Sequence, residues 1–379
     1  MEYRIPLFYP YYNGKKIIEA LKKVFPEDGS NKWIAEGEKV KEFEEAWAKK
    51  QNEKYCIATN SGTSALVLAY RLAGIKPGDE VIGPVLTCSA TYHSLMQLGG
   101  KPVFADIDPE TLCINPDDIE HRITEKTKAI VVVHFGGYPC DMEKIMPIAK
   151  KYGLKIIEDS CQYYGKRIYP EGDYRCYSFQ AIKFFTTSDG GMLCVNNEED
   201  YERARRLRWF DIPREYKAKI GWKQFKDWEY REMTYDQREV GYKFHMNDVI
   251  ATIGLAQLED LDFIIKRREY LTNLYRSELG KESIKDLKLL KPHPLETYWL
   301  FHIISPKIPQ IAEACEKAGI ETNMVHVRCD IYKVFGGKRQ KDLPNMNKIE
   351  RQYLCLPLHL KLKDDDVRYI CKTVKKAIC

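Results

Sequence analysis

A lysine, an aspartate and a run of small residues are the parts of this sequence whose types and spacing best suit chemistry. Lys183 lies between Ile182 and Phe184-Phe185. An unpaired ammonium in apolar surroundings is costly, and such burial lowers its pKa and makes a nucleophilic amine. The plainer alternative is a lysine that snorkels to the surface. Asp159 closes the apolar run LKIIE, where a carboxylate needs a partner. Asn60-Ser61-Gly62-Thr63-Ser64 follows YCIAT and opens a helical pattern. Small residues there present backbone N–H groups and the positive end of the helix dipole, which makes a phosphate cradle. An ordinary helix N-cap would look the same.

These residues need a scaffold, and the chain describes one. Short apolar runs at 55–59, 81–85, 102–107, 129–135 and 154–159 alternate with helical patterns at about 38–50, 64–74, 90–98 and 142–151. That alternation predicts an α/β fold with a mostly parallel sheet covered on both faces, in three layers. In such a sheet, ligands gather at the carboxyl ends of the strands. CYSFQ and GGMLCV, separated by a short loop, suggest an antiparallel addition. Helical patterns at 247–258, 263–279, 308–318 and 364–377, with the strand-like TYWLFHII, predict a smaller α+β C-terminal domain. We place the large domain at 1–245 and the small one at 246–379. The aromatic-rich stretch 213–240 reads as a surface excursion or as a loop lining a ligand or subunit contact.

Composition removes other classes. The chain has 379 residues, enough for two or three domains at roughly 150 residues each. Lys and Arg number 60 against 55 Asp and Glu, an excess of +5 that is too small to argue for a nucleic-acid backbone. No apolar run approaches the ~18 residues of a spanning helix, and the first residues carry Glu2 and Arg4 without a signal-length apolar core. Twelve scattered cysteines without a CxxC pair read as reduced thiols in a cytoplasmic protein, and no Cys or His spacing suits a metal.

One cofactor unites the three features. Pyridoxal 5′-phosphate (PLP) needs a lysine for its Schiff base, an anion beside its pyridinium nitrogen and a helix terminus for its phosphate. Lys183, Asp159 and the Gly62-Thr63 turn supply these from separate strand-end loops. A nicotinamide-dependent oxidoreductase is disfavoured, because no GxGxxG follows the early strands.

The order of motifs then resembles the PLP-dependent sugar-nucleotide aminotransferases of the DegT/DnrJ/EryC1/StrS family, of the aspartate aminotransferase fold (fold-type I). WIAEGEKVKEFEEAWA at 33–48, NSGTSAL at 60–66, GGKPVFADIDPETLCINP at 99–116, VVVHFGGYPCDMEKI at 131–145, IIEDSCQYYG at 156–165, SFQAIKFFTTSDGGML at 178–193 and GLAQLEDLDFIIKRRE at 254–269 carry the resemblance. It implies that Lys183 forms the Schiff base and shuttles the proton, and that Asp159 bonds the pyridinium nitrogen. It places Gln162 near the ring's phenolic oxygen, and Gly62, Thr63 and Ser178 at the phosphate. Two positions depart from the pattern. Cys88 stands where most members stack an aromatic residue on the ring. Lys243, in Gly241-Tyr242-Lys243-Phe244-His245, replaces an asparagine that reaches the neighbouring subunit's phosphate. Lys243 either serves that phosphate in a homodimer with shared active sites or forms a structural salt bridge. Some relatives carry histidine at the lysine position and act as dehydratases, and Lys183 argues against that branch.

The resemblance further implies a cytoplasmic transaminase that takes its amino group from L-glutamate. The acceptor would be a nucleotide-linked 4-keto-6-deoxyhexose, giving a 4-amino sugar of the viosamine or perosamine kind; a 3-keto sugar comes second, and a catalytically idle sensor or regulator third. His326 and Arg328 are candidates for holding the sugar nucleotide.

Overall fold

The alternating runs close into one seven-stranded sheet. The structure, a computed structural model, describes residues 3–28, 30, 34–165, 172–213, 237–280 and 284–378. The strands are β1 (Tyr55–Thr59), β2 (Glu80–Pro84), β3 (Lys101–Ala105), β4 (Thr127–Val133), β5 (Lys155–Asp159), β6 (Tyr174–Ser178) and β7 (Gly191–Val195), in spatial order β1-β7-β6-β5-β4-β2-β3. β3, β2, β4, β5 and β6 pair in parallel, while β7 runs antiparallel between β6 and β1. The antiparallel addition is therefore β7 alone. β4 is buried along nearly its whole length, as the unbroken AIVVV run requires of a strand covered on both faces.

Helices cover the sheet. α1 (Gly14–Val24) and α2 (Glu38–Gln51) come first, and α3 (Gly62–Leu72) follows β1. α3 is apolar all round and buried over most of its length, between the sheet and its neighbours, as such a helix must be. α4 (Ala90–Met96), the single turn α5 (Pro116–Ile119) and α6 (Met142–Tyr152) come next. α6 buries Met142, Ile145 and Ala149 on one face and is capped by Asp141. α7 (Glu198–Leu207) follows β7 and was not evident in the sequence. Residues 214–236 of the aromatic-rich stretch lie outside the described residues.

A second, smaller layer completes the chain. α8 (Asp248–Leu258) packs on α1 and α2. α9 (Leu261–Gly280), α10 (Ile308–Lys317) and α12 (Asp364–Ile378) pack with a three-stranded antiparallel sheet, β8 (Lys288–Leu289), β9 (Phe301–Ile304) and β10 (Tyr353–Leu356), in spatial order β10-β9-β8. A short helix, α11 (Pro344–Ile349), precedes β10. Their core of Leu271, Tyr275, Ile303, Ile311, Ile370 and Val374 also takes in Ile5, whose backbone pairs with Gly319 and Glu321. Among the described residues no helix is long and apolar enough to cross a membrane.

Candidate active site

Strand register gathers the candidate residues at one edge of the large sheet. Val133 pairs with Asp159, Asp159 with Cys176, Ser178 with Gly191, and Gly191 with Thr59. The loops after β1, β2, β4, β5 and β6 therefore open on the same side.

Lys183 sits in the β6–β7 connection, where its amide donates to the Gln180 carbonyl (2.9 Å). Its side chain is buried rather than snorkelling, with the residue only 8% exposed. Burial pulls its pKa below the ordinary lysine range, while Cys161, Cys88 and Asp159 oppose that shift. Its ammonium lies 3.8 Å from the centre of the Trp299 ring. Trp299 is one side chain the sequence did not single out; it read only as part of a strand.

Asp159 is also buried, at the end of β5. Its Oδ2 accepts from Thr91 Oγ1 (2.7 Å) and its Oδ1 from the Cys161 amide (3.1 Å). Thr91, on α4, is the second missed residue. It lies 68 positions from its partner and within hydrogen-bond distance of Thr87 Oγ1 (3.1 Å). The remaining lone pairs leave this carboxylate able to accept one more charged N–H.

The turn before α3 is built for close approach. Ser61 caps the helix by accepting from the Ser64 amide (3.1 Å). The amides of Gly62 and Thr63, in the first turn, lack intrahelical acceptors. A side chain at 62 would place its Cβ 2.7 Å from Ser178 Cβ and 2.9 Å from Cys161 Sγ, so only glycine lets the turn lie against the end of β6. Ser178 and the Gly62-Thr63 turn are thus neighbours, as the phosphate reading requires.

The other candidates occupy more varied positions. Gln162 Oε1 accepts from the Gly136 amide (2.7 Å), which ties the β5 loop to the Gly136-Gly137 turn after β4. A Cβ at Gly136 would meet His302 Cε1 at 2.4 Å. Cys88, half-buried, faces Lys183 and Asp159, and its thiol is pushed up by burial. His326 lies among Phe135, Trp299 and Lys183; burial lowers its pKa to about 3, so its imidazole is neutral, and its Nε2 has no partner among the described residues. Lys243 is exposed, 4.1 Å above the Trp209 ring, and its carbonyl accepts from Asn60 Nδ2 (3.2 Å) beside the phosphate turn. No salt bridge to its side chain occurs among the described residues.

Arg328 is engaged inside its own fold. It is fully buried, and its guanidinium grips both oxygens of Asp330 (2.6 Å each) while also reaching Asn347 (2.6 Å) and Glu350 (3.2 Å). A cation so engaged within its own fold is a brace, not a hand held out to a ligand.

The buried amine, the buried carboxylate and the amide-lined cradle fit PLP. Lys183 would bond its aldehyde, Asp159 would face its ring nitrogen, and Gly62, Thr63 and Ser178 would hold its phosphate. Fold and site together define a PLP-dependent aminotransferase. The chain matches the DegT/DnrJ/EryC1/StrS aminotransferase family over residues 13–375 and belongs to it. It is 31% identical, over 98% of each sequence, to a GDP-perosamine synthase of Escherichia coli O157:H7. It is 30% identical to a dTDP-4-dehydro-2,3,6-trideoxy-D-glucose 4-aminotransferase of Saccharopolyspora spinosa, over 96% of this chain and 94% of that one. A sugar aminotransferase candidate of Streptococcus pneumoniae, solved in its PMP form, superposes with a TM-score of 0.89 at 26% identity over 99% of each chain.

Proposed function

We propose that this sugar aminotransferase moves an amino group from L-glutamate to C4 of a nucleotide-linked 4-keto-6-deoxyhexose. The products are 2-oxoglutarate and a 4-amino-4,6-dideoxy sugar nucleotide of the viosamine or perosamine kind. The observation that carries the reading is the buried Lys183 amine at the same sheet edge as Asp159 and the Gly62 cradle. Similarity to two enzymes whose names specify 4-amino chemistry or a perosamine product supports the acceptor.

Bound here, PLP supplies an aldehyde that condenses with amines and a ring that accepts an electron pair. Lys183 Nζ, whose charged form burial disfavours, would take the proton from the donor's α-carbon and later return one to the sugar carbon. Asp159, oriented by Thr91 and the Cys161 amide, keeps the ring nitrogen protonated. Gly62, Thr63 and Ser178 would hold the phosphate, Gln162 would lie towards the ring's phenolic oxygen, and Cys88 would offer the ring less packing area than an aromatic. His326 Nε2, without a partner among the described residues and beside Lys183, is the group we assign to the sugar nucleotide. In this reading the protein is a homodimer, and Lys243, whose exposed side chain makes no salt bridge among the described residues, reaches the partner's cofactor phosphate.

A panel of UDP-, dTDP- and GDP-linked 4-keto and 3-keto sugars, each assayed with L-glutamate and read by mass and NMR, tests the proposal. A 4-amino product is expected. Turnover confined to 3-keto sugars would overturn the regiochemistry, and no half-reaction with glutamate would point to an idle sensor.

A further inference from the structure

Trp299 meets the reactive lysine twice. Its ring lies 3.8 Å from Lys183 Nζ, and its Nε1 donates to the carbonyl of Ile182 (3.2 Å), the residue just before that lysine. The ring itself is held. Trp299 is 1% exposed, and its carbonyl accepts from Arg268 Nη2 (2.6 Å) while the Tyr298 carbonyl accepts from Arg268 Nε (2.7 Å). The next amide, Leu300, donates to Gly136 (2.9 Å), and Phe8 stacks on the indole at 6.2 Å. Helix α9 and the turn after β4 thus fix the backbone that carries this indole, just ahead of β9.

The groups facing Lys183 explain what that indole does. Asp159 approaches from β5, Cys161 from just beyond it, Cys88 from the loop after β2, and His326 from the loop before β10. His326 is neutral, and both thiols near the lysine are pushed up by burial. Among the described residues no carboxylate is within ion-pair distance of Nζ, and the aromatic face lies in direct contact with it. A ring quadrupole attracts the ammonium and does little for a neutral amine. It therefore opposes the desolvation that burial imposes.

We propose that Trp299 is a positioning residue for Lys183: its ring receives the freed ammonium, and its N–H fixes the lysine loop to the C-terminal layer. This rests on the reading of Lys183 as the reactive amine. The amine released during turnover then returns to one defined place instead of swinging into solvent. Because Arg268 on α9 holds the backbone that carries the ring, any movement of the small layer also moves the seat of that amine.

The test uses the full-length chain freed of cofactor by dialysis against hydroxylamine. Competitive labelling with acetic anhydride across pH, read by mass on the peptide carrying Lys183, gives the apparent pKa of that amine. Trp299→Leu keeps an apolar side chain and removes both the π face and the N–H. It is expected to lower the apparent pKa by roughly 0.4 to 1.5, the span of a cation–π contact expressed on the pH scale. Trp299→Phe, which keeps a ring, should stay near wild type in pKa while hydrogen exchange over 181–185 quickens several-fold; it also serves if the leucine variant fails to fold. An unchanged or raised pKa in folded Trp299→Leu, or unchanged exchange in Trp299→Phe, overturns the inference. Borohydride reduction after adding PLP is a separate arm. If it leaves Lys183 unmodified, the cofactor reading falls, whatever the indole does to the pKa.

Discussion

Lys183 and Arg328 are both buried cations, and their surroundings send them to opposite roles. Arg328 has a carboxylate on its fork, a second nearby and an amide oxygen besides. Lys183 has an aromatic face and no ion pair among the described residues. A fully paired guanidinium adds rigidity, whereas a poorly paired amine is destabilised in its charged form and so becomes reactive. Arg328→Ala should therefore cost stability and not substrate affinity. It strands Asp330, 1% exposed, without its countercharge. Urea denaturation should show a loss of about 3–5 kcal/mol, the usual cost of removing one partner of a buried pair. The sugar-nucleotide KM of the remaining folded enzyme should match wild type. A large rise in KM with stability intact would restore the ligand role that the sequence suggested. The brace was not legible in the sequence for a physical reason: two of the arginine's partners, Asn347 and Glu350, lie 19 and 22 positions away, where no spacing rule reaches.

At the scale of elements, what was legible depended on how local the signal was. The strands of the large sheet are apolar runs bounded by turn residues, and each falls within a few positions of its expected place. Lys183, Asp159 and Gly62 were legible because each stands at the end of such a run. α7 was not, because EEDYERARRL buries only Ala204 and Leu207 and leaves little apolar periodicity. β8, two residues long, is too short to signal itself. Thr91 and Trp299 reach their partners from 68 and 117 positions away, so only the folded chain reveals them. Gly62 joins sequence, element and function most directly. Its conformation is ordinary, so the constraint is space: a Cβ would press on Ser178 Cβ and Cys161 Sγ at the first turn of α3. Gly62→Ala must push α3 away from β6, an overpacking cost of about 1–3 kcal/mol. If the turn holds the phosphate, PLP affinity measured by absorbance titration should fall by about ten- to a hundredfold, the equivalent of that energy. Unchanged affinity in the alanine variant would remove the turn from the site.

Across the whole molecule, three neutral histidines mark where the C-terminal layer meets the rest. His302 on β9 stacks on Phe135 at 5.2 Å, and His326 packs on Phe135 and Trp299. His359, just past β10, has its Nε2 3.1 Å from the Pro6 carbonyl in the N-terminal arm. Burial lowers the first two to about 3 and the third to about 4, against an ordinary value of 6.5. Between those limits the unfolded chain binds protons that the folded chain refuses. Stability is therefore full above about pH 6.5 and drains as pH falls toward the folded values. Each histidine contributes a slope of up to about 1.4 kcal/mol per pH unit once the unfolded imidazole is mostly charged. Carboxylates held down by partners, such as Asp211 beside Arg206, lose their contribution only at lower pH, so the window from 6.5 to 5 isolates the histidines. The urea midpoint should fall steadily across that window, and His302→Phe, which keeps a ring against Phe135, should flatten the fall. A midpoint constant from pH 7 to 5 would mean that these imidazoles gain protons without leaving the joint, and that the two layers are not sealed by apolar contact as their burial requires.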